Sequence, residues 1–316
     1  MFDTIKILRR RLSGIVDSKG SPLYDERECR ALADLLLEEV CGLTRVDRIM
    51  HPERVLPAEQ RQRLGDILEA MEAGVPVQQA LGYAWFCGAR FRVTPDVLIP
   101  RPETAELVDW ILGEVRSRGV SASPTTGLSL CDIGTGSGCI AISLARAIPD
   151  ARVLALDLST AALNIARENA CQQHVDNIQF AQFDVLGDVD NLVFPHDSSI
   201  ENATCQQAYQ QFDILVSNPP YVCENEAAEM SEIVLKHEPR LALFVPDDDP
   251  LVFYRAIGRF GLRHLKPSGL LFFEINAAYG RETCHLLEEL GYHDVELRSD
   301  ITGRDRMVKA TTSPHC

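Results

Sequence analysis

Leu128-Ser129-Leu130-Cys131-Asp132-Ile133-Gly134-Thr135-Gly136-Ser137-Gly138 is an apolar run that enters three glycines, and the apolar segment from Cys139 to Ile148 follows it with helical character. A strand that meets a glycine-rich turn and leaves as a helix lets backbone N–H groups approach a ligand closely, since side chains there would clash. The spacing is G-x-G-x-G rather than the G-x-G-x-x-G of dinucleotide sites. Asp132 sits just before the turn, where a carboxylate repels a pyrophosphate and attracts the cationic amino group of S-adenosylmethionine. Spacing and acid together favour that methyl donor over NAD.

Downstream, the pattern repeats with an acid at each strand end. The strand Val153 to Leu156 ends in Asp157, placed to accept both ribose hydroxyls of a nucleoside. Ser159 then caps a helix to about Ala170. A third strand, Ile178 to Phe183, ends in Asp184, which either accepts from an adenine amino group or is a turn residue. The run Phe212 to Val216 reads as a buried strand, and Ser217-Asn218-Pro219-Pro220-Tyr221 closes it at the carboxyl end, where open α/β sheets place ligands. Neither proline donates a backbone hydrogen bond, so the Asn218 side-chain oxygen and the Pro219 carbonyl make an acceptor-rich surface that suits an incoming NH2 group. The Tyr221 ring offers a face for a planar amide or base. A proline-stiffened turn is the alternative reading of that stretch alone; the glycine turn, the strand-end acid and the Asn-Pro-Pro-Tyr in this order outweigh it. Acidic Glu224 to Lys236 reads as a helix that could cover the site, and helices near 249–265 and 282–290 alternate with strands near Leu270 to Ile275, Val295 and Met307 in an α/β pattern.

Upstream, Phe2, Ile5, Leu8, Leu12 and Ile15, then Leu35, Leu36 and Val40, then Leu64, Ile67, Leu68 and Met71 lie at helical spacing. They predict a small bundle over residues 1–80, broken first at Gly20-Ser21-Pro22, with Pro57 opening its last helix and Gly74 closing it. This bundle carries no chemical motif, and His51 reads as a surface or satisfied histidine. Residues 81–97, with Tyr83, Trp85, Phe86, Phe91 and Val93, read as a hairpin linker, and 98–316 as the second domain. Between them and the glycine turn, Thr104 is read as the N-cap of a helix, and Arg101, held between two prolines, as a ligand clamp or a salt-bridge anchor.

The chain has 316 residues and a net charge of −15, which argues against a protein that grips duplex nucleic acid by neutralising phosphates. No signal-peptide pattern and no membrane-length apolar run is present, so a cytoplasmic protein with no membrane partner is expected. Ten cysteines without a Cys-x-x-Cys pair fit reduced thiols better than a metal site. The polar, aperiodic stretch Gly187 to Gln211 reads as an exposed insertion.

Taken together, the residues resemble the protein-(glutamine-N5) methyltransferases of the PrmC/HemK type, which modify peptide chain release factors. The matching pieces are Leu98 to Thr104, Asp132 to Gly138, Asp157, Ser217 to Tyr221, Glu238-Pro239 with Ala242-Leu243-Phe244, Leu265-Lys266-Pro267, Glu274-Ile275 and Asp305-Arg306. The resemblance implies a Rossmann-like α/β methyltransferase domain with a small helical amino-terminal domain joined by a β-hairpin. It implies that Gly134, Thr135, Gly136, Ser137, Gly138 and Asp157 hold S-adenosyl-L-methionine, with Asp184, Val185 and Asn218 beside it, and that Asn218, Pro219, Pro220 and Tyr221 grip the substrate glutamine of a Gly-Gly-Gln tripeptide. This chain departs from the pattern at Ala105, at Gln78-Gln79 before the hairpin glycine, and at Val185, where some relatives place an aromatic.

The residues alone leave rival chemistries. Adenine N6 methylation on DNA or RNA uses the same four residues on a flipped base, and the net charge and the helical amino-terminal domain count against it. An NAD-linked oxidoreductase is disfavoured by the glycine spacing and Asp132. A non-catalytic binding module on the same fold is the third.

Overall fold

The computed structural model describes residues 2–51, 53–117, 127–187 and 211–314. The chain divides into two compact units, Met1–Gly82 with Ser231–His237, and Tyr83–Met230 with Glu238–Cys316. The stretch read as an insertion lies outside the described residues apart from its two ends.

The first unit contains α1 (Phe2–Ser13), α2 (Glu26–Cys41), α3 (Arg45–Met50), α4 (Ala58–Glu72) and α5 (Val77–Leu81). The Asp25 side chain accepts from the Glu28 N–H while the Glu28 carboxylate accepts from the Asp25 N–H, a reciprocal cap that starts α2, and Gly42 in left-handed conformation ends it. Leu8, Leu12, Leu36, Leu37, Leu64, Leu68 and Met71 form the core. Helix α1 stops at Ser13, ahead of the expected break, because the chain folds back so that the Leu23 N–H reaches the Ile15 carbonyl.

The segment expected as one acidic helix is instead a 3-10 turn, Glu224–Glu229, and a separate helix, α9 (Glu232–His237). Each half has its own anchor. Glu226 accepts from the Cys223 N–H and from the Asn276 side chain within the second unit. Within the first unit, Ser18 bonds Glu232 and the Gln79 side chain donates to the His237 carbonyl.

The second unit opens with the hairpin β1 (Tyr83–Phe86) and β2 (Ala89–Arg92), whose turn residues Cys87 and Gly88 both have positive φ, the geometry that matches strand twist. The hairpin counts with this unit rather than standing as a linker. After α6 (Pro102–Ser117) come β3 (Ser129–Ile133), α7 (Cys139–Ala147), β4 (Arg152–Asp157), α8 (Thr160–Gln172), β5 (Ile178–Gln182) and β6 (Phe212–Ser217). The short pair β7 (Val222–Cys223) and β8 (Phe244–Val245), then α10 (Val252–His264), β9 (Leu265–Glu274), α11 (Gly280–Leu290), β10 (His293–Ser299) and β11 (Asp305–Thr311) complete it. The main sheet has the order β10-β11-β9-β6-β3-β4-β5, parallel from β9 to β5, with β11 antiparallel to both its neighbours.

Alternate residues of each central strand enter different cores. Leu130, Ile214 and Phe272 pack with α6 and α7, and Cys131, Leu215 and Phe273 with α10 and α11. Both faces being covered, the strands are continuously apolar. From β3 the chain steps outward to β4 and β5, then returns on the other side as β6. The carboxyl ends of β3 and β6 therefore diverge at a switch point, the place in such sheets where a ligand crevice opens.

Candidate active site

A cavity of about 280 Å³ lies at that switch point. Its wall includes Gly134, Thr135, Gly136 and Ser137 of the glycine turn, Asp157 after β4, Asp184 and Val185 after β5, and Asn218, Pro219 and Pro220 after β6. The turn exists because Gly134, Gly136 and Gly138 adopt φ of 74°, 55° and 80°, which side-chain-bearing residues rarely take. Gly138 is further constrained: an added Cβ would lie 2.7 Å from Ile142 Cδ1 and 3.1 Å from Ala166 Cβ, so the glycine permits α7 and α8 to approach.

The structure corrects how the turn works. Its N–H groups were expected to face the ligand, but Gly134 and Thr135 both donate to the Leu156 carbonyl, Gly136 donates to Asp157 Oδ2 at 2.8 Å, and Gly138 donates to the Thr135 carbonyl. Donors so engaged form no anion cradle, and an acidic wall with occupied amides disfavours a pyrophosphate. Asn169, fully buried on α8, holds the outer side of the turn: its side chain donates to the Ser137 and Arg92 carbonyls and accepts from the Arg92 N–H. Its buried position between hairpin and turn involves segments distant in sequence, so no local pattern marked it.

Asp132 is not on the wall. It is 1% exposed behind the turn, where Oδ2 accepts from the Thr135 hydroxyl at 2.7 Å and Oδ1 closes no hydrogen bond among the described residues. Burial pushes its carboxyl up to about 7 against the opposing pull of the Thr135 hydroxyl and the Ala141 N–H. Asp157 does reach the cavity; it too is raised by burial, and its oxygens accept from the Gly136 and Ser159 N–H groups and keep further lone pairs for a ligand. Asp184 is a turn residue, with Oδ1 accepting from the Leu186 N–H, and it also lines the cavity.

Around Asn218 the structure reveals a relay across the unit. The Asn218 amide NH2 donates to Thr104 Oγ1 at 3.4 Å, and the Thr104 hydroxyl donates to Glu274 Oε2 at 2.6 Å. Thr104 is thus not the N-cap expected of it; α6 begins at Pro102, which places Thr104 inside the first turn with its hydroxyl aimed at the end of β9. Glu274 is 1% exposed; burial raises its carboxyl, opposed by the Thr104 hydroxyl, the Arg306 guanidinium and the Tyr221 hydroxyl. Tyr221 does not line the cavity: its hydroxyl donates to Glu274 Oε1 at 3.2 Å and its ring packs against the core beneath α10. The Ser217 hydroxyl donates to the Ile133 carbonyl at 2.6 Å, tying the ends of β6 and β3 together. Arg101 pairs at 2.6 Å with buried Glu238, which accepts the Ile99 N–H as well, the anchor expected of it, and it also lines the cavity.

An α/β unit of doubly wound topology with this turn, strand-end acid and Asn-Pro-Pro corner has the features of a Rossmann-like methyltransferase, and residues 124–244 match the family described as methyltransferase domain. Residues 24–82 match the PrmC N-terminal domain. The chain is 42% identical over 301 residues to the release factor glutamine methyltransferase of Bacteroides thetaiotaomicron, covering 95% of this chain and 99% of that one. It is 41% identical over 287 residues to that of Flavobacterium psychrophilum, covering 91% and 93%, and 36% identical over 280 residues to that of Chlorobaculum tepidum, covering 88% and 89%. The chain belongs to the release factor glutamine methyltransferase family.

Proposed function

We propose that this protein transfers a methyl group from S-adenosyl-L-methionine to the side-chain amide nitrogen (N5) of the glutamine in the Gly-Gly-Gln tripeptide of a peptide chain release factor, in the cytoplasm. The observation that carries the reading is the presence of Asn218 and Pro219 on the same cavity wall as Gly134 to Ser137 and Asp157. The wall fits the donor: Asp157 supplies acceptor lone pairs for hydroxyls, Val185 and Phe183 supply an apolar surface, and the Gly134, Thr135, Gly136 and Gly138 N–H groups are already engaged rather than offered to a phosphate. When bound, S-adenosylmethionine supplies an electrophilic methyl group on a sulfonium centre.

The chain's own residues act on the acceptor. A carboxamide nitrogen shares its lone pair with the carbonyl and is a poor nucleophile. The Asn218 side-chain oxygen and the Pro219 carbonyl accept its two N–H groups, which fixes the direction of the lone pair and stabilises the positive charge that develops on nitrogen. No strong base acts before transfer; the proton leaves afterwards to water. Tyr221 works from behind the wall, through Glu274, rather than by stacking on the amide.

The amino-terminal unit we assign to docking of the protein substrate. Helix α3 shows Val46, Ile49 and Met50 to solvent, each about two-thirds exposed, and a short helix that leaves three apolar residues outside its core has a surface for a partner. Incubating the chain with labelled donor and, separately, release factor and nucleic acid tests the whole reading. One added methyl on the tripeptide glutamine, located by mass spectrometry, is the expected result; label on adenine would replace it with the nucleic-acid reading.

A further inference from the structure

We infer that Thr104 and Glu274 are positioning residues that set which end of the Asn218 amide faces the cavity, presenting its oxygen and withholding its NH2. The inference rests on the proposed role of Asn218 as acceptor for the substrate amide. An asparagine amide has two ends of nearly equal size and opposite hydrogen-bond polarity, so a site that needs the oxygen must exclude the flipped state. Proximity alone cannot do this. A hydroxyl neighbour is ambiguous as well, because it donates or accepts as its surroundings demand.

The relay removes the ambiguity at its far end. A carboxylate only accepts. Glu274 Oε1 is taken by the Tyr221 hydroxyl and Oε2 by the Thr104 hydroxyl at 2.6 Å; burial raises this carboxyl, and both hydroxyls and the Arg306 cation pull the other way, so the acceptor role rests on the geometry of two hydroxyls that converge on it. With its one proton committed to Glu274, Thr104 offers Asn218 only lone pairs. The NH2 end of Asn218 must then point to Thr104, as it does at 3.4 Å, and the oxygen end is left for the cavity that both residues line. Burial strengthens the discrimination: Thr104 is 2% and Glu274 1% exposed, so no water substitutes for a lost partner without rearrangement. In the flipped state the Asn218 NH2 would meet the N–H groups of the substrate amide, donor against donor, and the charge developing on nitrogen would lose a stabilising dipole.

The separate measurement of turnover, acceptor KM, donor affinity and melting temperature in three variants of the full chain tests this. Thr104→Val keeps volume and removes the relay; turnover should fall roughly 10–100-fold, the range for loss of a supporting hydrogen bond behind a reacting group, with donor affinity within about twofold of wild type. Thr104→Ser restores the hydroxyl and should recover turnover to within about threefold. Glu274→Gln keeps the shape but lets its amide donate to Thr104, so turnover should fall while the donor still binds. If Thr104→Val melts before assay temperature, the Ser and Gln pair decides alone. Full turnover in either Thr104→Val or Glu274→Gln, equal loss in Thr104→Ser and Thr104→Val, or loss of donor affinity in step with turnover would overturn the inference. Transfer by the wild-type chain to release factor is measured first: no transfer defeats the functional reading itself, whereas transfer that survives these variants defeats only the relay.

Discussion

The two units bury different things. In the first, the described core is apolar apart from Arg48, whose guanidinium is held by Asp34 and the Leu43 carbonyl. In the second, Asp132, Glu238, Glu274 and Asp300 are all nearly inaccessible. Glu238 has Arg101 and a backbone N–H, Asp300 has Arg306 with two backbone N–H groups and a hydroxyl, and Glu274 has two hydroxyls. Asp132 has one. A bundle can be specified by spacing and caps, but a catalytic crevice requires polar groups where water is excluded, and a buried acid with so few partners is a local conflict of the kind that functional sites retain.

The sharpest break between the units should come from Asn218→Ala. Turnover should drop on the order of a hundredfold or more, as loss of one preorganised polar partner at a reacting centre does. Melting of the chain and donor affinity should stay near wild type. An active Asn218→Ala protein would place the acceptor site elsewhere in the second unit.

Asp157→Ala should be next in size. In its proposed role the acid accepts from the donor's hydroxyls, a contribution of about 1.5–3 kcal/mol for a charged group that the variant removes. It also orphans the Gly136 and Ser159 N–H groups, which Asp157 now satisfies. The variant should therefore weaken donor binding and lower the melting temperature together, and Asp157→Asn, which keeps an acceptor oxygen, should be milder in both. Calorimetry showing unchanged donor affinity in Asp157→Ala would remove Asp157 from the donor site.

What the sequence made legible was local. Gly134 to Gly138, Asp157, and Asn218 to Pro220 sit at strand ends, and strand ends announce themselves through an apolar run that stops at a glycine, acid or proline. The helical bundle was legible for the same reason, through its spacing. The relay was not, since Thr104 and Glu274 lie 170 positions apart and each alone reads as an ordinary helix-start threonine or strand-end acid. The engaged amides of Gly134 and Thr135 were hidden because their acceptor is a main-chain carbonyl, Leu156, which no residue type reports. Tyr221 was visible as a partner of Asn218 but misplaced, because the sequence does not say on which side of a proline corner a ring falls.

Asp132 gives the comparison a pH dependence. Its carboxyl titrates near 4 in an unfolded chain and near 7 in the fold. Between those values the folded state binds the extra proton, so this group's contribution falls as pH rises from about 4 to about 7 and remains unfavourable above. Asp132→Asn should thus raise stability, by at most about 4 kcal/mol at pH 8, the value of a rise from about 4 to about 7, and by almost nothing at pH 4. The Asn oxygen can still accept from Thr135. Denaturant titrations at several pH values would show the gain growing across that window; a pH-independent difference would mean that the mutation acts through packing and not through the buried charge.

The smallest effect concerns the first unit and tests whether its surface has a task at all. Ile49 and Met50 are each 67% exposed on α3, outside the core formed by α1, α2 and α4, so replacing both with serine removes apolar surface without opening a cavity. Changes at such exposed positions shift stability by less than about 0.5 kcal/mol. Donor binding, which the proposed function assigns to residues after Tyr83, should not change. If α3 meets the release factor, the KM for intact release factor should rise by roughly 5–30-fold, as expected when about 1–2 kcal/mol of apolar contact is lost. The KM for a short peptide carrying only Gly-Gly-Gln should stay where it is, because that peptide needs only the crevice. Equal KM values for intact release factor in the double variant and the wild type would remove α3 from the docking surface and leave the exposed residues of that helix without an assigned partner.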